Sequence, residues 1–282
     1  MRILITGSNG QLGRELIRQL MVYPKMFEVF NTDHNTLDIT NNEHVQQVVG
    51  SLKPHVVINC AAYTNVDSAE TDKEKVYRIN VIGAENLARM CECLDIKFVH
   101  MSTDYVFEGL EMSPRREEDS VNPQSIYGIS KLQSEKIVRN LCTKHFIIRT
   151  AWLYGEGNNF VRTMLKLART EKEINVVGDQ IGSPTYTKDL VNVMINLIQT
   201  DYYGTYHATC EGACSWYDFA CEIFSIMGMN IKVNKVTSEE LERPAKRPKY
   251  SVLENYNLNC HGLNTFRDWH EALIDYLEEE RM

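Results

Sequence analysis

A doubly wound parallel α/β sheet with a smaller C-terminal α+β lobe is the fold this sequence predicts, on three observations. Short apolar runs alternate with helical patterns as far as Thr150, the signature of parallel strands joined by right-handed helical crossovers. A glycine turn, Gly7-Ser-Asn-Gly10-Gln-Leu-Gly13, follows the first apolar run directly. The residues least suited to a packing role, Gly7, Ala61, Thr103 and Trp152, all fall where predicted strands end. Open α/β sheets bind ligands at that edge.

Composition sets the outer bounds. A chain of 282 residues accommodates one large domain, or a core domain with a lobe. A formal net charge of −8 argues against non-specific nucleic-acid binding. No apolar run reaches the ~18 residues of a membrane span, and Met1 to Thr6 runs into glycine too soon for a signal peptide. The eight cysteines show no C-x-x-C and no zinc-type spacing. They are expected to be reduced cytoplasmic thiols, with no metal site among them.

Arg2 to Thr6 reads as a buried strand. The glycines after it permit a tight turn and a close backbone approach to a diphosphate at the helix N-terminus, although G-x-x-G-x-x-G departs by one residue from G-x-G-x-x-G. Leu12, Leu16, Ile17 and Leu20 then carry a helix. A second strand, Glu28 to Asp33, ends on an acid twenty positions beyond Gly13. Such an acid either accepts from the adenosine ribose, which disfavours a 2′-phosphate and leans towards NADH, or is a solvated loop residue. Asp38 precedes a helix from about Asn41 to Leu52, where it either caps that helix or reaches the adenine amino group.

Val56 to Cys60 is the third strand, and the small Ala61 and Ala62 at its end let a cofactor lie close. Thr71 to Leu94 reads as one long helix in which Asn80 requires a polar partner. Ile96 to Met101 is the fourth strand; Thr103 beyond it either binds a substrate oxygen or serves local backbone. Glu108 to Pro123 lacks periodicity and is expected to loop over the site. Phe146 to Thr150 is the fifth strand.

Between these last elements lies Tyr127-Gly-Ile-Ser-Lys131, opening a helix that runs to about Cys142. Residues four apart share a helix face, so the phenol and the ammonium aim at one place. A cation there favours the phenolate and lowers a pKa that is otherwise near ~10.

After Thr150 the alternation ceases. Helices are expected at Asn158 to Thr170, Asp189 to Gln199, Ser215 to Met227 and Thr265 to Glu280. Residues 175–186 read as loop, and Thr205 to Ala208 as a strand returning to the sheet. The division expected is a dinucleotide-binding domain of 1–155 with about 186–208, and a substrate lobe of 156–185 and 209–282. In the basic segment Arg243 to Lys249, Lys246 or Arg247 facing the cleft suits a diphosphate.

The glycine turn, Thr103 and Tyr127-x-x-x-Lys131 together resemble the extended short-chain dehydrogenase/reductase superfamily. Longer blocks narrow this: Asn59 to Asp67, Ser102 to Phe107, Asn122 to Lys131, Arg149 to Gly155, Asp179 to Tyr186, Ser215 to Ala220 and Arg247 to Leu253 are similar to the dTDP-4-dehydrorhamnose reductase family. The resemblance implies a Rossmann-like fold and NADPH- or NADH-dependent reduction of the 4-keto group of a dTDP-linked deoxysugar. It implies Thr103, Tyr127 and Lys131 as catalytic residues. On the cofactor side it implies Gly10, Gln11, Leu12, Asp38, Ile39, Ala61, Ala62 and Tyr63, beside Gly7, Gly13 and Asp33 of the turn and second strand. Val66, Asp104 and Trp152 are implied against the sugar, with Asn159 and Arg247 completing the expected substrate contacts.

Some members of that family dimerise through magnesium held by acidic residues. Glu15 and Asp189 are the counterparts here, with Lys188 arguing against it, so monomer and homodimer both stay open. Arg115 and Arg116 stand where the family leads one to expect proline and an aromatic. Two other readings also stay open: a related nucleotide-sugar epimerase or dehydratase, and a non-catalytic subunit similar to the beta subunit of methionine adenosyltransferase.

Overall fold

The computed structural model describes residues 1–281. Its centre is a six-stranded parallel sheet whose strands lie in the order Gly204–His207, His145–Thr150, Lys97–Thr103, Val56–Asn59, Arg2–Thr6 and Glu28–Asn31. In chain order the first half comprises β1 (Arg2–Thr6), α1 (Gln11–Leu20), β2 (Glu28–Asn31), α2 (Asn42–Leu52), β3 (Val56–Asn59), α3 (Val66–Ala69), α4 (Lys73–Tyr77), α5 (Gly83–Cys93), β4 (Lys97–Thr103), α6 (Ile126–Leu141) and β5 (His145–Thr150). Then follow β6 (Leu153–Tyr154), α7 (Phe160–Thr170), β7 (Glu173–Val177), β8 (Ile181–Gly182), β9 (Thr185–Tyr186), α8 (Thr187–Leu197), β10 (Gly204–His207), β11 (Cys214–Ser215), α9 (Trp216–Met227), β12 (Lys232–Val236), α10 (Tyr256–Cys260) and α11 (Trp269–Arg281).

Strands buried on both faces explain the unbroken apolar runs. Ile3, Ile5, Ile58 and Phe146 pack towards the side that holds Leu16 and Leu190, while Leu4, Val57, Phe98 and Ile147 pack towards Val45 and Leu87. The expected return of residues 205–208 is met by β10, which pairs in parallel with β5 at the sheet edge.

Several expectations need correction. The second strand stops at Asn31, so Asp33 lies in the following turn. Asp38 does not cap α2. Asn41 does, accepting from His44 N at 3.1 Å, while Asp38 accepts from Thr40 N at 2.9 Å. The long helix at 71–94 is broken into α4, a π-helical turn at Arg78–Ile82 and α5. That turn carries Asn80, which accepts from Tyr63 N at 2.7 Å and donates to Ser130 Oγ at 3.0 Å. It thereby pins the loop after β3 to α6.

Residues 108–123 do not roof the site. They are tied to the C-terminal ends of β5 and β10, where Arg149 donates to Glu117 O at 3.2 Å and the Glu117 side chain accepts from His207 N at 2.9 Å. Arg115 N donates to Val252 O at 3.0 Å, and Arg116 pairs with Glu254 at 2.8 Å. The supposed loop at 175–186 contains β8, β9 and the end of β7. β7 pairs in parallel with β12, β8 is antiparallel to β11, and β9 is parallel to β6.

Candidate active site

A cleft of about 1540 Å³ opens at the C-terminal ends of the sheet strands. On one side are Gly7, Gly10, Gln11, Leu12 and Gly13, with Asp33, Asp38 and Ile39 beyond them. Gly7 adopts φ 66°, and a Cβ there would lie 2.7 Å from Ala61 N, so only glycine permits the turn to meet the end of β3. Ala61 and Ala62 line the same wall. Tyr63 does not; its hydroxyl donates to Asp72 at 2.9 Å, and Lys75 Nζ lies 5.9 Å from the ring centre.

The opposite wall holds Val66, Thr103, Asp104, Tyr127, Lys131, Trp152 and Arg247. Ser125 accepts from Gly128 N at 3.1 Å and starts α6, on which Tyr127 and Lys131 both line the cleft, Tyr127 within hydrogen-bonding reach of Thr103. Asn159 is absent from the cleft. Its side chain caps α7, accepting from Arg162 N at 2.9 Å and donating to Gly155 O at 2.6 Å. Sequence reasoning missed Thr150, Ser251 and Trp216, and named Arg243 only as part of the basic segment; all four line the cleft. Trp152, held at φ 49°, stacks on Trp216 with ring centres 3.5 Å apart. Its space exists because Gly182 lacks a Cβ, which would come within 2.5 Å of the indole.

Arg247 is not a free diphosphate hook. Its guanidinium grips Asp67 at 2.8 and 3.0 Å, a bidentate geometry that satisfies both groups. Lys246 does not line the cleft, whereas Arg243 does.

Burial governs the electrostatics. It pushes the Tyr127 phenol up to about 12, reinforced by the charge of Asp104. The expected acidification by Lys131 is not what sets this group. A phenol so raised is neutral at ordinary pH, the form a proton donor needs. Burial also lowers the Lys131 ammonium to about 8, with Glu135 pulling it back up. Glu135 is fully buried one helical turn beyond Lys131 and is gripped by Arg149 through bonds of 2.9 and 2.7 Å.

A second buried chain supports the same corner. Ser134 Oγ donates to Lys131 O at 2.7 Å and meets His100 Nε2 at 2.8 Å. His100 Nδ1 meets Asn59 Nδ2 at 3.3 Å, and Asn59 Oδ1 accepts from Thr6 Oγ and Ala61 N. Burial holds His100 well below its usual range, so it is neutral.

The carboxylates expected to hold magnesium do not fit one. Glu15 accepts from Arg18 at 2.9 and 2.8 Å, Asp189 from Arg267 at 2.8 Å, and Lys188 bridges Asp275 and Glu279. Among the described residues no group of three or more His, Cys, Asp or Glu is placed to hold a metal ion. No helix among them is long and apolar enough to cross a membrane.

A family model described as the RmlD substrate binding domain matches residues 1–282. The chain belongs to this family. Among curated relatives, the spore coat polysaccharide biosynthesis protein SpsK of Bacillus subtilis is 43% identical, over 99% of this chain and 97% of that protein. A solved dTDP-4-dehydrorhamnose reductase of Clostridium acetobutylicum superposes with a TM-score of 0.98 at 51% identity, over the full length of both chains. The dTDP-4-dehydrorhamnose reductase of Bacillus anthracis in complex with NADP gives 0.96 at 45% identity, over 99% of each. The RmlD relatives thus share the sheet and the second lobe alike.

Proposed function

We propose that the chain reduces the 4-keto group of dTDP-4-dehydro-L-rhamnose to give dTDP-L-rhamnose, a step of nucleotide-sugar and cell-surface polysaccharide biosynthesis. The observation that carries this is the meeting of Thr103, Tyr127 and Lys131 in a cleft whose other wall is the glycine turn. The relatives' names and the NADP complex support it.

NADPH or NADH, when bound along Gly7 to Gly13, supplies the hydride that C4 receives. As C4 is reduced, Tyr127 gives its phenolic proton to O4. Lys131 holds the cofactor ribose as an ammonium, and Thr103 lies against the same oxygen. Trp152 and Val66 shape the sugar pocket, and Arg243 is the better placed cation for the diphosphate. Because burial depresses Lys131, its ammonium is complete well below pH 8 and lost as pH rises through about 8; turnover falls on that alkaline side. The protein works in the cytoplasm as a monomer or homodimer, with residues 1–155 and about 186–208 holding the cofactor and 156–185 and 209–282 the sugar nucleotide. The test is loss of NADH or NADPH absorbance on adding the ketosugar, made in a coupled assay.

Two further results are expected. Asp33 is locked by Thr36, Asn35 N and Asn9, and these bonds keep its carboxyl below the usual range. A fixed anion at the ribose end disfavours a 2′-phosphate. NADH therefore gives the higher kcat/KM, and Asp33→Ser moves the NADPH/NADH ratio towards NADPH by at least about fivefold. Separately, Gly182→Ala displaces Trp152 and raises KM for the sugar nucleotide about tenfold, with kcat changed less.

A further inference from the structure

Thr103 and Asp104 stand side by side at the end of β4, both buried and both lining the cleft. A threonine hydroxyl has one proton to give, and Thr103 gives it to Asp104 Oδ1 at 2.9 Å. One of its lone pairs receives Tyr105 N–H at 3.2 Å. What remains for Tyr127, within hydrogen-bonding reach from α6, is a lone pair and no proton. A ketone oxygen only accepts, so Thr103 in this state has nothing to donate to it. Asp104 Oδ2, meanwhile, is buried with no hydrogen-bond partner, which makes the ionised form costly. Burial accordingly lifts this carboxyl to about 6.

We propose that Asp104 is a positioning residue that sets the direction of the Thr103 hydroxyl. As a carboxylate it accepts the Thr103 proton. As a carboxylic acid it donates to Thr103 Oγ, whose own proton then turns to the reacting oxygen as a second donor beside Tyr127. The groups facing Asp104 are Tyr105 on its own turn, Tyr127 from α6 and Ser251 from the C-terminal lobe. Ser251 reaches Ile181 O at 3.4 Å, and its hydroxyl also pulls the Asp104 carboxyl down against burial. Arg247, near Tyr105, is spent on Asp67, and among the described residues no other cation holds the carboxylate ionised. The inference rests on the reductase reading and deepens the role of one member of its site.

The test is the single-turnover rate of NADH oxidation at saturating dTDP-4-dehydro-L-rhamnose, followed from pH 5 to pH 7. If no ketosugar-dependent oxidation occurs at any pH, the reductase reading itself has failed and this inference with it. Given turnover, the wild-type rate is expected to fall about tenfold over that range as Asp104 ionises, the span set by a group titrating near 6. Asp104→Asn, whose amide donates at any pH, holds its rate within about twofold across it. Should that variant not fold, Thr103→Val reads the same limb: with no hydroxyl to turn, its rate is low and flat. A wild-type rate that is flat or rises with pH overturns the proposal, as does either variant titrating like the wild type.

Discussion

Tyr127→Phe lowers ketosugar-dependent oxidation of NADH or NADPH by about 10²–10⁴-fold, the usual cost of removing a positioned proton donor. The phenyl ring fills the same space beside Tyr105, whose ring centre is 5.5 Å away, so the fold and cofactor affinity stay as they were. The loss therefore appears in kcat and not in the dissociation constant of the cofactor, which fluorescence titration reads independently. A variant rate within about threefold of wild type removes Tyr127 from the mechanism.

Arg149→Leu destabilises the protein by about 3–5 kcal/mol, read as a lowered urea midpoint, because it strands a buried carboxylate. Glu135 has no exposed surface and Arg149 almost none, and the pair also holds Ser102 and the Glu117 backbone. The complementary change, Glu135→Gln, acts on chemistry as well. Glu135 is what pulls the Lys131 ammonium back up against burial. Without that charge the alkaline limb of the rate profile moves to lower pH. A limb that stays in place means Glu135 serves stability alone.

Much of the site was legible in the sequence because its residues are conspicuous at strand ends. A glycine turn after an apolar run, two alanines after a second and a threonine after a third have few structural reasons to be there. What escaped depends on partners far away along the chain. Arg247 reads as a free cation until Asp67, 180 positions earlier, is found in its fork. Asn159 reads as a polar residue near the sugar, yet tertiary packing spends it on a helix cap and on Tyr276. β7 was invisible for a related reason: its partner β12 lies beyond α9, and local composition carries no record of a pairing between Asn175 and Asn234. The π-helical turn at Asn80 likewise answers to Tyr63 and Ser130, not to helical periodicity.

The most direct test uses cofactor carrying deuterium at the transferred position of the nicotinamide, with dTDP-4-dehydro-L-rhamnose in ordinary water. The product is expected to be dTDP-L-rhamnose with deuterium at C4 of the sugar and none elsewhere, found by NMR in step with the absorbance lost. Cofactor that stays reduced in the presence of the ketosugar, or a product without deuterium at C4, contradicts the assignment.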